Sequence, residues 1–166
     1  AAVAASLLYP ERTVVNVAGD GDFLMTGQEL ATARMFGAGQ GRGKLISIVI
    51  DNGSYGTIRM HQERSYPGRV AGSDLRNPDF AALARAYGWQ SHRVDSTAQF
   101  EPALRAALAS DVPTLIHVRL DVEMISPRAT TEIPLETHLG GGELKGLLRA
   151  RDRELVDLQL AFGEFA

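Results

Sequence analysis

No cysteine occurs anywhere in the 166 residues. Its absence excludes disulfides, thiolate metal sites and cysteine nucleophiles, and it fits a reducing compartment, so the cytoplasm is the expected location. There is no long hydrophobic run. The opening AAVAASLL is too short to span a bilayer and lacks the basic segment of a signal peptide. Neither sign of charge dominates: the formal net charge is −3, which gives no reason to expect nucleic acid or a membrane as partner. Internal repeats are also lacking. What remains is an ordinary mixture, 45% hydrophobic and 22% charged, long enough for one globular domain with a buried core. The chain starts without Met and in mid-pattern, as a piece of a longer protein would, with Pro10 and Glu11 turning the end of a helix into the first strand.

The apolar pattern then alternates between two kinds of element. TVVNVA (13–18), LISIVI (45–50), Gln90 to Val94 and TLIHVRL (114–120) read as strands, the second apolar on both faces, as a parallel sheet covered by helices requires. Between them lie helical segments. One is expected over 26–36, with Thr26 as N-cap and Glu29 at the capping-box position. Asn77-Pro78-Asp79 reads as another start: N-cap, Pro at the first helical position, acid in the first turn. Ser96, followed by Gln99, opens a third that runs to about Ala109. This alternation predicts an α/β, doubly wound, mostly parallel sheet with helices on both faces. The main α/β domain is expected over 1–126. A C-terminal extension over 127–166 is expected to carry an amphipathic helix, with Leu144, Leu147, Leu148, Leu155, Leu158 and Phe162 along one face.

Two strand ends carry the chemistry. Gly19-Asp20-Gly21 follows the first strand and Asp51-Asn52-Gly53 the second. Ligands of open parallel sheets bind outside the carboxyl ends of the strands. One crossover therefore brings Asp20 and Asn52 together, although they lie 32 residues apart in sequence. A carboxylate and an amide oxygen converging there suit a hard cation such as magnesium. Glycines let the backbone approach a ligand, and helix-start amides receive phosphate oxygens.

GDGDFLMTGQELATA followed by IVIDNGSYGTIRMHQE resembles the fingerprint of the thiamine diphosphate-dependent superfamily, which includes acetolactate synthase, benzoylformate decarboxylase and pyruvate decarboxylase; NPDFAALARAYG resembles the next helix of its C-terminal diphosphate-binding domain. The resemblance implies the thiamine diphosphate-binding fold, with thiamine diphosphate and Mg2+ as cofactors and C–C bond cleavage or formation on a small 2-keto acid-type substrate. Asp20 and Asn52 would ligate the metal through side chains and Ser54 through its carbonyl. Gly19, Gly21, Asp22, Ser54, Tyr55 and Gly56 would hold the diphosphate; Thr57 and Ile58 would lie nearer the thiazolium ring and Met25 nearer the aminopyrimidine. The catalytic glutamate of such enzymes sits on a pyrimidine-binding domain or subunit, so the chain is expected to need that partner, in a homo- or hetero-oligomer, and to be inactive alone.

Besides leaving that pyrimidine-binding domain outside its residues, the sequence departs from the family pattern in three places. Asp and Asn stand a few residues further apart than usual, an excess that fits GAGQGRGK (37–44), at the sheet edge away from the ligand. The usual Asn-Asn appears as Asp51-Asn52, so Asp51 competes for the metal. Asp22 replaces a small residue and must turn away or find a donor.

Other readings stand beside this one. GAGQGRGK fails as a P-loop, since Ala38 and Leu45 occupy required positions, and is expected to be a mobile connector. In RMHQERSYPGR, Arg59, His61 or Gln62 could meet a substrate carboxylate or carbonyl, or the stretch is a solvated loop. His117, inside an apolar strand, reads as a hydrogen-bonded core residue; His92 and His138 form no cluster with it. A Rossmann-type dinucleotide oxidoreductase would explain an acid at the second strand end, but GDGDFL lacks the third glycine. A non-catalytic interaction module that keeps the fold is the other alternative.

Overall fold

Apolar residues on both faces of the central strands demand a cover on each side, and the fold supplies two. The computed structural model describes residues 1–122 and the backbone of Met124–Ser126 and Ala129–Thr130. Strands β1 (Val14–Gly19), β2 (Leu45–Asp51), β3 (Gln90–Val94) and β4 (Thr114–Arg119) form a sheet in the order β1-β2-β4-β3, and every pairing is parallel. Helices α1 (Ala2–Leu8), α2 (Asp20–Thr26), α3 (Glu29–Phe36), α4 (Gly56–Ser65), α5 (Phe80–Ala86) and α6 (Thr97–Ala109) connect or flank them. The short strands β5 (Met124–Ser126) and β6 (Ala129–Thr130) pair antiparallel apart from this sheet. No helix among the described residues is long and apolar enough to cross a membrane.

Period-two alternation divides the core. Leu45 and Val49 of β2 and Leu115 of β4 pack against Phe23, Leu30, Ala33, Phe80 and Ala84 from α2, α3 and α5. Ile46, Ile48, Ile116 and Val118 point the other way, onto Phe100, Ala103, Leu104 and Ala107 of α6. The expected doubly wound sheet is present. So is the capping box at α6, formed by Ser96 and Gln99.

Three local expectations are corrected. The helix expected from Thr26 begins earlier, at Asp20, and Thr26 closes α2; α3 then starts after Gln28 without a side-chain cap. Splitting the segment lets Phe23 of α2 and Leu30 and Ala33 of α3 enter the same core. Asn77 is not the cap of α5. Asp79 is, accepting the Ala82 amide at 2.9 Å. Finally, residues 37–44 make a packed connector. Gly39 donates its amide to the Ser6 hydroxyl at 2.9 Å and Gly43 to the Pro10 carbonyl at 2.9 Å. A Cβ on Gly43 would collide with the Arg12 carbonyl, which is why glycine stands there. The connector does lie at the amino ends of β1 and β2, where Val14 donates to the Lys44 carbonyl, away from the strand ends of interest. Apart from the backbone of β6, the expected 127–166 extension, with its helix and His138, lies outside the described residues.

Candidate functional site

β1 and β2 run in register, with Gly19 opposite Ile50, so both chains leave the sheet at the same level. Asp20 is the first residue of α2 and is buried. Its Oδ1 accepts the Gly21 amide at 2.9 Å and its Oδ2 the Gly53 amide at 2.9 Å. That second bond ties the β1 terminus to the turn after β2, beside Asn52 and Ser54. Asn52 Oδ1 accepts the Ser54 amide at 3.0 Å, and the Ser54 carbonyl accepts the Gly56 amide at 2.8 Å.

The chain doubles back to close this turn. Tyr55 donates its amide to the Ser73 carbonyl and Leu75 to the Gly53 carbonyl, both at 2.8 Å. The Ser54 hydroxyl donates to the same Ser73 carbonyl at 3.1 Å. This strap delivers Asn77, whose Nδ2 donates to Asp20 Oδ2 at 2.6 Å and Asp51 Oδ1 at 2.7 Å.

Asp51 faces the side of the sheet that carries His117. His117 Nε2 lies 2.7 Å from Asp51 Oδ2, the imidazole is buried, and its ring meets Phe80 edge to face at 5.2 Å. With Asp51 ionised, Nε2 is the donor. Burial pushes the Asp51 carboxyl up, but the bonds from His117 and Asn77 outweigh it and hold the group below the usual carboxylate range. Asp20 goes the other way. Burial raises it, and the donors Asn77, Gly21 and Gly53 offset that only in part.

The remaining sequence candidates divide into groups. Gly19, Gly21, Ser54, Tyr55 and Gly56 surround these strand ends; the Tyr55 ring lies where a Cβ on Gly21 would be, 2.5 Å from its Cε1. Asp22 is exposed, its carboxylate turned back toward Gly19. Thr57 and Ile58 are exposed in the first turn of α4, and Met25 is exposed near the end of α2. His61 is exposed. Arg59 Nη1 reaches the Val122 carbonyl at 3.3 Å. Gln62 uses both ends of its side-chain amide on the Ala71 backbone, at 2.9 and 3.1 Å.

Asn77 is the residue that sequence reasoning missed, because its neighbours made it look like a helix cap. The Asp51–His117 pair had a faint signal: an acid and an imidazole at inward positions of largely apolar strands.

The arrangement tests what it could hold. Among the described residues no group of three or more His, Cys, Asp or Glu could hold a metal, so neither a zinc-like site nor a multi-carboxylate cage is built there. Asp20, Asn52 and the Ser54 carbonyl instead offer one carboxylate and two neutral oxygens. Such a set fits magnesium, which binds through one or two carboxylates and takes its other ligands from phosphate and water. The buried acids Asp20 and Asp51 would repel a bare diphosphate; a cation between them and it removes that conflict. Past Gly56, whose amide is spent on the Ser54 carbonyl, the first-turn amides of Thr57 and Ile58 in α4 have no intrahelical acceptors and suit phosphate oxygens. The acid at the β2 terminus, by contrast, is engaged by His117 and Asn77, which leaves it poorly placed for a ribose.

Comparison with known proteins points to a domain that binds a diphosphate-bearing cofactor. A family model described as "Thiamine pyrophosphate enzyme, C-terminal TPP binding domain" matches residues 1–118. The acetolactate synthase isozyme 2 large subunit of Escherichia coli (strain K12) is 37% identical over 122 residues, covering 73% of this chain and 21% of that protein. The benzoylformate decarboxylase of Pseudomonas aeruginosa is 34% identical over 118 residues, 71% of this chain and 21% of that protein. Among solved structures, the Rhodococcus jostii RHA1 thiamine diphosphate-dependent 4-hydroxybenzoylformate decarboxylase superposes with a TM-score of 0.64 at 33% identity, over 72% of this chain and 22% of that one. The chain spans about a fifth of the length of these relatives.

Proposed function

The chain belongs to the thiamine pyrophosphate enzyme family, matching its C-terminal TPP-binding domain, and from that premise we propose that it is the magnesium-dependent, diphosphate-binding half of an acetolactate synthase-like or 2-keto acid decarboxylase-like enzyme. The observation that carries this reading is the bond from the Gly53 amide to Asp20 Oδ2 at 2.9 Å, which sets the two strand-end motifs side by side.

In this reading Asp20, Asn52 and the Ser54 carbonyl hold Mg2+. Gly19, Gly21, Asp22, Tyr55 and Gly56 shape the diphosphate seat, with Thr57 and Ile58 toward the thiazolium side and Met25 toward the aminopyrimidine. When bound, thiamine diphosphate supplies an electron sink for breaking or making a C–C bond beside a carbonyl. The protein's own contribution is to anchor the charged tail and fix the cofactor's orientation. Met25 and Ile58 are 67% and 52% exposed, apolar surface that a cofactor and a pyrimidine-binding domain, in the same or another chain, would cover. Arg59 and His61 stand at the edge from which a small 2-keto acid would approach.

Titration calorimetry with thiamine diphosphate tests the reading. Binding in millimolar magnesium that disappears in EDTA is the expected result. Affinity indifferent to magnesium, or NADH bound in preference, contradicts it.

A further inference from the structure

We propose that Asn77 is a positioning residue for the divalent cation: its side-chain amide, shared between Asp20 and Asp51, fixes the carboxylate of Asp20 in its ligating orientation. This rests on the reading of Asp20 as a metal ligand.

Two carboxylate oxygens from different strand ends are bridged twice. Asn77 Nδ2 lies 2.6 Å from Asp20 Oδ2 and 2.7 Å from Asp51 Oδ1. The Gly53 amide lies 2.9 Å and 3.1 Å from the same two atoms. Like charges held this close repel strongly in a low-dielectric setting, and shared donors are what keep them together. Gly53 contributes one backbone proton; Asn77 brings two, one for each acid.

The placement of Asn77 is over-determined. The strap through Ser73 and Leu75 fixes its approach, Pro78 disfavours helical backbone at residue 77, and Asp79 takes over the capping of α5. Its Oδ1 is buried without a hydrogen-bond partner among the described residues. A buried, unpaired carbonyl is unfavourable, so the site keeps an amide there for its donors.

The consequence for the cation follows from counting lone pairs. Among the described residues, Asp20 Oδ2 accepts from Gly53 and Asn77, and Oδ1 from Gly21 alone. A carboxylate oxygen offers two lone-pair sites. Oδ1 is therefore the oxygen with a lone pair left to offer a cation, and Asn77 would keep the carboxylate from rotating out of that orientation.

The test is magnesium titration calorimetry on the full 166-residue chain at saturating thiamine diphosphate, with Asn77→Ala and Asn77→Ser each made in the wild-type and Asp51→Asn backgrounds. Asn77→Ala should weaken magnesium about tenfold, as loss of a partner behind a metal ligand does. Asn77→Ser, which retains one donor, should lose roughly threefold, the size of a single hydrogen bond. In the Asp51→Asn background both losses should shrink, because the repulsion being offset is gone; a packing role alone gives equal losses in the two backgrounds and overturns the proposal. If Asn77→Ala fails to fold, Asn77→Ser carries both comparisons. Wild-type binding with unchanged affinity in the variants overturns the role of Asn77 alone. A wild type that binds no magnesium overturns the ligand reading and this proposal with it.

Discussion

His117 donates from Nε2 to Asp51 Oδ2 at 2.7 Å, and that bond decides how the end of β2 is used. Asp51 is turned into the protein, held by β4 on one oxygen and by Asn77 and Gly53 on the other. Asn52, the next residue, lies on the turn with Ser54. On the proposed reading of a cation at this strand end, that weights the competition between the two toward Asn52.

Removing the imidazole should expose what that bond holds. His117→Leu leaves a buried carboxylate short of its strongest donor, and losing a hydrogen bond to a charged group should lower stability by about 2 kcal/mol. Urea denaturation checks this, and the double variant His117→Leu/Asp51→Asn should recover part of the loss by removing the stranded charge.

Gly21→Ala should disturb the seat beside the strand ends. The new Cβ would lie 2.5 and 2.8 Å from Tyr55 Cε1 and Cδ1, so the ring must move, at a cost of about 1–3 kcal/mol for overpacking. Thiamine diphosphate affinity should fall, and Gly21→Ala/Tyr55→Ala should restore the stability lost to the clash. Thermal melts and calorimetry read the two effects.

Asp79 gives a pH-dependent test. The amide of Ala82 holds its carboxyl below the usual range. A carboxyl whose folded value is depressed adds stability above its unfolded value, near pH 4, and that stability is lost as the pH falls through the folded value. Asp79→Ala should therefore cost about 1 kcal/mol at pH 7, as loss of an N-cap does. The gap from wild type should narrow as the pH falls below about 4, where the unfolded carboxyl protonates before the folded one. Urea midpoints at pH 7 and pH 3 check both statements.

Gly43→Ala should be severely destabilising, because the Arg12 carbonyl occupies the space a side chain needs. Ala38→Gly in the same connector only removes a buried methyl, and should cost about 1 kcal/mol. Comparable denaturation midpoints for the two would show a connector that yields freely.

These contrasts also explain what could be read from the sequence. The four parallel strands and α6 follow from local signals: near-continuous apolar runs such as LISIVI, and the Ser96–Gln99 box. The pairing of Asp20 with the turn after β2 was legible because sheet topology brings successive strand ends together. Asn77 was not. Its local context, Asn-Pro-Asp, offers two caps two residues apart, and the choice is made by carboxylates 57 and 26 residues away. Gln62 was obscured in the same way: a polar residue in a basic stretch looks available for a substrate until the backbone of Ala71 claims its amide. Glycine-rich composition likewise suggested a loose connector at 37–44, whereas three of its glycines are there because another part of the backbone presses against them.

The central claim, that a cation held at Asp20 and Asn52 tethers a diphosphate, is tested most directly by 31P NMR of thiamine diphosphate bound to the full chain with Mn2+ in place of magnesium. Wild type should show strong paramagnetic broadening of both diphosphate resonances, and Asp20→Ala should abolish it. Broadening that survives Asp20→Ala unchanged, or its absence in the wild type, contradicts the claim.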